Sequence, residues 1–198
     1  MSSEVSPLIF RVSPAPDLTS LQIESDRLVL RSLQASDAPA IFAEFTAEIT
    51  RYMYPKPAAT IDETLAFIAD SQAGMRAQTD LVLAITRDRE FLGCCGVHLT
   101  QGPRTPELGV WLKQAAQGHG YGREAITVLA AWVVENIDFD YAIYPVDRAN
   151  IPSRKIAESL AGSVFEEKKV PALTGNMLDS VVYQIPYETL RSQFCREI

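Results

Sequence analysis

Three glycines fall within six residues in Gln117-Gly-His-Gly-Tyr-Gly122, after the apolar run Glu107-Leu-Gly-Val-Trp-Leu112 and before a helix-forming segment. Glycine permits tight, positive-φ geometry and leaves neighbouring N–H groups unshielded by side chains. At a helix N-terminus such N–H groups and the helix dipole together favour an anion. A pyrophosphate is the natural guest, with His119 and Arg123 able to add donors at the rim.

Other glycine-rich turns bind phosphate too. The dinucleotide fingerprint wants Gly-x-Gly-x-x-Gly after the first strand of a parallel βαβ unit, whereas Gly118-His-Gly-Tyr-Gly122 stands late in the chain with different spacing. A P-loop wants Gly-Lys-Ser/Thr, and Gly122-Arg-Glu lacks it. A plain turn is the remaining alternative.

The rest of the chemistry-bearing inventory is sparse. Cys94 and Cys95 are neighbours on a strand and point to opposite faces, a poor arrangement for one metal. With Cys195 the count is odd, so buried thiols in a reducing compartment are expected rather than a disulfide framework. His98 reads as a structural strand residue and His119 as part of the glycine loop; two histidines are too few for a histidine-rich metal site, and no metal is expected. The net charge of −7 argues against nucleic acid and suits a cationic substrate. No stretch reaches the roughly 18 apolar residues of a membrane span. The first residues lack a signal peptide's basic and apolar regions, so a cytoplasmic location is expected.

The elements that must position the loop follow from periodicity. Residues 1–20, with Pro7, Pro14 and Pro16, read as an extended or loosely docked arm. Arg27–Leu33 alternates as a half-buried strand. Ile41, Phe42, Phe45 and Ile49 recur at helical spacing after Ser36-Asp37, and Thr60-Ile-Asp-Glu63 opens a second helix with a capping-box pattern. The aromatic loop Tyr52-Met-Tyr-Pro-Lys-Pro57 between them is either a packed turn or a pocket wall. Strands at Leu81–Ile85, Phe91–Leu99 and Glu107–Leu112 suggest an antiparallel meander. A helix over Arg123–Ile137 presents Ile126, Leu129, Ala130, Val133, Val134 and Ile137 on one face. A strand at Tyr141–Val146, a helix at Asn150–Leu160 and strands at Ser163–Lys168 and Ser180–Tyr187 close an α/β chain with a mixed sheet. One domain over residues 21–190, with a tail at 191–198, is expected.

Gln117-x-x-Gly120-x-Gly122 resembles the coenzyme-A pyrophosphate loop of the GNAT superfamily of N-acetyltransferases, whose pattern is Gln/Arg-x-x-Gly-x-Gly/Ala. Glu-Leu-Gly-Val-Trp-Leu before it is similar to that family's central strand. Asn150-Ile-Pro-Ser153, with the stretch to Glu166, resembles the Asn-x-x-Ser helix and return strand. Glu24–Leu33 is similar to the opening strand of the branch containing the ribosomal-protein N-terminal alanine acetyltransferases. The likeness runs from about Leu21 to Tyr187.

The resemblance implies a twisted, mostly antiparallel mixed sheet of about seven strands, with helices on both faces. It implies acetyl-CoA along Val110, Trp111 and Leu112 and over Gln117, Gly118, His119, Gly120, Tyr121, Gly122 and Arg123, with Asn150 and Ser153 on the pantetheine arm. The acetyl group would pass directly to a primary amine on a protein N-terminus, a polyamine or a small metabolite. An ammonium with a pKa of about 10 must lose a proton before attack. Glu107 is the first candidate base, and Ser153 a candidate donor to the leaving sulfur. Glu44, Tyr52 and Tyr54 are candidates for the acceptor site, with Glu48 in reserve. Many members carry a tyrosine seven residues after the asparagine; here Ala157 stands there. That departure keeps a non-catalytic acyl-CoA-binding or regulatory module as the alternative, with a dinucleotide-dependent oxidoreductase behind it. A homodimer through the closing strands is possible on this pattern.

Overall fold

The computed structural model describes residues 7–194. One eight-stranded sheet organises them, in the order β1-β2-β3-β4-β5-β6-β8-β7. The strands are β1 (Gln22–Glu24), β2 (Val29–Ser32), β3 (Asp80–Arg87), β4 (Glu90–His98), β5 (Glu107–Leu112), β6 (Tyr141–Asp147), β7 (Ser163–Pro171) and β8 (Met177–Pro186). The helices are α1 (Ala38–Glu44), α2 (Ile61–Ala77), α3 (Tyr121–Asn136), α4 (Ile151–Ser159) and α5 (Tyr187–Phe194). Every neighbouring pair is antiparallel except β5 and β6, which run parallel.

The sheet has one strand more than the seven expected. The extra strand, β1, spans three residues and pairs only with β2, too short to carry a period of its own. Another difference lies in the first helix. It stops at Glu44, and Phe45 caps it with its N–H on the Ile41 carbonyl, so Ile49 belongs to a separate 3-10 turn. Asp37 does not cap this helix through its side chain; both carboxylate oxygens take hydrogen bonds from Arg31, at 2.6 and 2.8 Å.

Both faces of the sheet are covered. The first face carries α1 and the front of α2, where Ile41 and Ile68 pack on Val82, Ala84 and Cys94. The other carries α3, whose Ile126, Leu129 and Val133 are fully buried against β-strand residues. Residues 7–20, part of the stretch expected as an extended or loosely docked arm, lie against the domain. Leu8 and Leu18 enter the main core, and Arg11 N–H and Nε–H reach the Asn136 and Ile137 carbonyls. The expected tail from residue 191 begins inside α5, whose Leu190 is buried against the core. Cys195 lies outside the described residues.

Candidate active site

The site starts from a gap in the sheet. β5 and β6 pair at one position, Glu107 with Ile143, where Ile143 N–H donates to the Pro106 carbonyl at 2.9 Å. Beyond it they diverge. Pro145 supplies a reason: it sits mid-strand on β6, pairs with Val182 of β8 on its other side, and has no N–H to offer β5. Backbone groups alternate sides along a strand, and Pro106 faces β6. Leu108, Val110 and Leu112 therefore turn their peptide groups to the same gap, while Glu107, Gly109 and Trp111 turn theirs to β4. Trp111, expected to pair its backbone with a pantetheine, instead contributes its ring. The ring lies 4.8 Å from that of Phe45 and 5.8 Å from that of Phe91.

The glycine loop lies at the open end of the gap. Gly118 and Gly120 adopt left-handed backbone, φ 79° and 82°, and Gly120 is the N-cap of α3. The N–H groups of Tyr121, Gly122 and Arg123 form the first turn of that helix and have no intrahelical acceptor. A Cβ at Gly118 would meet nothing within 4 Å, which leaves this backbone open to a ligand. Gly122 serves packing: a Cβ there would come within 3.3 Å of Ile156 Cδ1 on α4. Gln117 turns back, its Nε2 donating to the Leu112 carbonyl at 3.1 Å.

A buttress holds the loop from outside. Arg27 lies over the Tyr121 ring, donates from Nη1 to the His119 carbonyl and pairs with Glu124. Burial pushes the Glu124 carboxyl up, but hydrogen bonds from Ser25 and Arg27 outweigh it and leave the pKa below its ordinary value. Arg87 bonds to the Tyr121 hydroxyl. The His119 ring faces a small cavity that Arg87 and Lys113 also line.

On the far side of the gap, Asn150 caps α4 by accepting from Ser153 N–H at 3.3 Å. The Ser153 hydroxyl lies 2.9 Å from the hydroxyl of Tyr144, a β6 residue. Burial pushes the Tyr144 phenol up to about 12, so it keeps its proton. A protonated hydroxyl thus stands beside Ser153, although Ala157 carries none.

A cavity of about 940 Å³ joins the gap to the face covered by α1 and α2. Tyr52 and Tyr54 line it, as do Met53, Phe45, Phe67 and Leu173. Leu173 N–H donates to the Tyr54 carbonyl at 2.9 Å, so the β7–β8 turn is strapped to the aromatic loop across the cavity. Glu44 does not line it: α1 ends there, and the next residue, Phe45, occupies the wall. Glu48 accepts a hydrogen bond from Gln114 instead.

Glu107 lines the cavity at the vertex of the gap, and its Oε2 accepts from the Thr100 hydroxyl at 2.6 Å. Directly across β4 stands His98, and across from that, on β3, Asp80: the three are register partners in one row. His98 Nδ1 lies 2.6 Å from Asp80 Oδ1. Burial pulls the His98 pKa down, but the Asp80 hydrogen bond and the charges of Asp80 and Glu107 carry it above its ordinary value. From spacing along the chain His98 reads only as a structural strand residue. Its partner Asp80 is 18 residues away and meets it only through strand pairing.

Cys94 and Cys95 are both buried, and burial raises both thiols well above their ordinary pKa, which suits neither to nucleophilic work. Among the described residues no helix is long and apolar enough to cross a membrane, and no cluster of His, Cys, Asp and Glu could hold a metal ion.

Known proteins share this fold. Residues 27–162 match the acetyltransferase (GNAT) domain family, and the chain belongs to it. A curated relative, the uncharacterized N-acetyltransferase YoaA of Bacillus subtilis (strain 168), is 30% identical over 114 residues, covering 56% of this chain and 64% of the relative. Among solved structures, RimL, a ribosomal L7/L12 alpha-N-protein acetyltransferase in complex with coenzyme A, has a TM-score of 0.76 at 18% identity, covering 84% of this chain and 98% of that one. An acetyltransferase of the GNAT family from Bacillus anthracis has a TM-score of 0.74 at 18% identity, over 85% and 99% of the two chains. The microcin C7 self-immunity acetyltransferase MccE, in complex with acetyl-CoA and AMP, has a TM-score of 0.73 at 18% identity, over 88% and 97%. At such identities these structures speak for the fold.

Proposed function

We propose that this member of the GNAT acetyltransferase family transfers the acetyl group of acetyl-CoA directly to a primary amine carried on a small apolar body. The observation that carries the reading is the continuity of three features: a helix N-terminus opened by left-handed glycines, a gap between parallel strands, and an apolar cavity beyond it. β6 offers no donor at Pro145, so the unpaired groups of β5 there are left for an extended chain. Val110 N–H, aimed into it, is placed to stabilise the oxyanion that forms on a thioester carbonyl. Asn150 and the N–H groups of residues 121–123 would bind the pantetheine arm and the pyrophosphate. Ser153, backed by the Tyr144 hydroxyl, would donate to the departing sulfur.

The acceptor half of the cavity favours an apolar amine over a polyamine. Its acidic lining residues are Glu63, Glu107 and Asp147. Asp147 already accepts from Ala149 N–H and Asp179 N–H, and Glu63 accepts from Ala59 N–H. Glu107, at the vertex of the gap with Oε2 held by the Thr100 hydroxyl, is the carboxylate placed to draw in one ammonium, while Tyr52, Met53, Tyr54 and Phe67 surround an apolar body. The Tyr54–Leu173 strap narrows the approach for a peptide N-terminus, the acceptor class that the branch resemblance suggests.

The test is thiol release from acetyl-CoA with 2-phenylethylamine, spermidine and a short alanine-starting peptide in parallel. The reading expects 2-phenylethylamine to give the highest kcat/KM. Preference for spermidine or the peptide would overturn the acceptor class, and no release with any amine would favour a non-catalytic acyl-CoA-binding module. A homodimer through β7, one of the two edge strands of the sheet, belongs to the same reading, and sedimentation would test it.

A further inference from the structure

We propose that His98, held by Asp80, is the group that takes the proton from the attacking amine, with Glu107 supplying charge rather than acting as the base. The inference rests on the acyl-transfer reading above. A carboxylate only accepts, so the 2.6 Å contact to Asp80 Oδ1 requires the proton on Nδ1 and leaves the lone pair on Nε2. Nε2 stands over two glycines on the acceptor face. A Cβ at Gly96 would come within 3.2 Å of it, and one at Gly109 would come within 3.9 Å. At Gly96 that Cβ would also meet the Leu81 carbonyl at 2.7 Å, so glycine is required there for the backbone and the ring together, whereas the Gly109 contact is an ordinary one. Gly109 is the residue between Leu108 and Val110, whose peptide groups face the gap. Nε2 therefore overlooks the place where an acyl carbonyl held by Val110 N–H would lie. The His98 side chain is 39% exposed and lines the cavity, so an acceptor can reach it.

Glu107 is less suited to the step. One of its oxygens is held by the Thr100 hydroxyl, and carboxylates as a class are weaker bases than imidazoles. The bound ammonium first gives one proton to Nε2, which frees the nitrogen lone pair to form its bond to the thioester carbon; the second N–H proton is shed as the amide forms. When the carbon–sulfur bond breaks, the electron pair leaves on sulfur and a proton completes the thiol. The products are the amide and coenzyme A, with His98 returning its proton to solvent. The imidazolium formed in between lies between Asp80 and Glu107. The other titratable groups lining the cavity include Cys94 on the same strand, Tyr52, Tyr54 and Lys56 of the aromatic loop, Glu63 of α2, Asp147 of β6 and Lys168 of β7.

The experiment is the pH dependence of kcat/KM for acetyl transfer to 2-phenylethylamine, compared among the wild type, H98Q, D80N and E107Q. Coenzyme affinity is followed by calorimetry, and the imidazole is titrated by NMR. The chain has two histidines, so H98Q assigns the signal. The proposal expects a rising acid limb above the ordinary histidine value of about 6.5. H98Q removes that limb and lowers kcat by about 100-fold or more, while acetyl-CoA affinity stays unchanged. D80N and E107Q keep the limb but move it, and the NMR titration, to lower pH. A merely structural His98 would leave the limb in place in H98Q. Loss of the limb in E107Q with its retention in H98Q would make Glu107 the base and overturn the proposal. Without turnover in the wild type, the acceptor reading fails, and the NMR titration then decides the dyad. An imidazole pKa below about 6.5 that ignores D80N would overturn it.

Discussion

Gly120 and Gly175 form a matched pair for separating backbone strain from coenzyme binding. Both are left-handed, with φ 82° at the start of α3 and 87° in the β7–β8 turn. A Cβ at Gly175 meets nothing within 4 Å, and one at Gly120 meets only Arg27 Nη2 at 3.5 Å, an ordinary contact. Alanine in this region costs about 1–2 kcal/mol. Loss of freedom in the unfolded chain returns about 0.4–1 kcal/mol. Each glycine-to-alanine variant should therefore lose roughly 1 kcal/mol of stability, a fall of about 2–4 °C in Tm for a domain of this size. Only Gly120→Ala also disturbs the peptides that present the Tyr121 and Gly122 N–H groups. If about 1–2 kcal/mol of strain is relieved by rotating them, acetyl-CoA affinity falls about 5- to 30-fold. Thermal unfolding and calorimetric titration of both variants read the two effects separately. Affinity within about twofold of wild type in Gly120→Ala, or an equal loss in Gly175→Ala, would refute the loop assignment.

Three further outcomes are expected. Tyr144→Phe removes the hydroxyl beside Ser153; a neutral hydrogen bond is worth about 0.5–1.5 kcal/mol, so kcat should fall about two- to tenfold with coenzyme affinity unchanged. Steady-state kinetics of this variant, Ser153→Ala and the double variant would show whether the two act as a unit. Cys94→Ala should keep turnover, with intersecting initial-rate patterns and no acetylated protein by mass spectrometry, because the acetyl group never rests on the chain. Glu124→Gln should weaken the loop buttress. The folded Glu124 pKa is depressed, so its contribution is present above the unfolded value of about 4.3 and is lost as pH falls through the folded one. Denaturant unfolding should therefore show a stability gap between wild type and variant at neutral pH that closes in acid.

The sequence revealed what is local. Glu107–Leu112 is a strand with the bounds expected of that short β-like run, and the six apolar positions named for the following helix are all buried on α3 and at its end. The glycine loop was legible because its chemistry lies within six consecutive residues. Contacts made only by pairing were not. The Asp80–His98–Glu107 row exists because three antiparallel strands fall in one register, and no spacing along the chain encodes that. Tyr144 beside Ser153 likewise needs β6 and α4 to be placed first. The docking of Leu8 and Leu18 was hidden by a proline-rich stretch without period, and Arg11 adds hydrogen bonds that only the folded chain brings within reach. One signal was available: a proline inside an otherwise central strand requires an unpaired edge, and Pro145 marks the side on which the sheet opens.

The central claim is that acetyl-CoA occupies the gap between β5 and β6, with its pyrophosphate at the N-terminus of α3. Calorimetric titration of the full chain with acetyl-CoA, with NAD in parallel, tests it most directly. The account predicts saturable acetyl-CoA binding near one per chain, abolished by Gly120→Val in protein that still unfolds cooperatively, and no binding of NAD. Binding of NAD without acetyl-CoA, or no acetyl-CoA binding by folded protein, would contradict it.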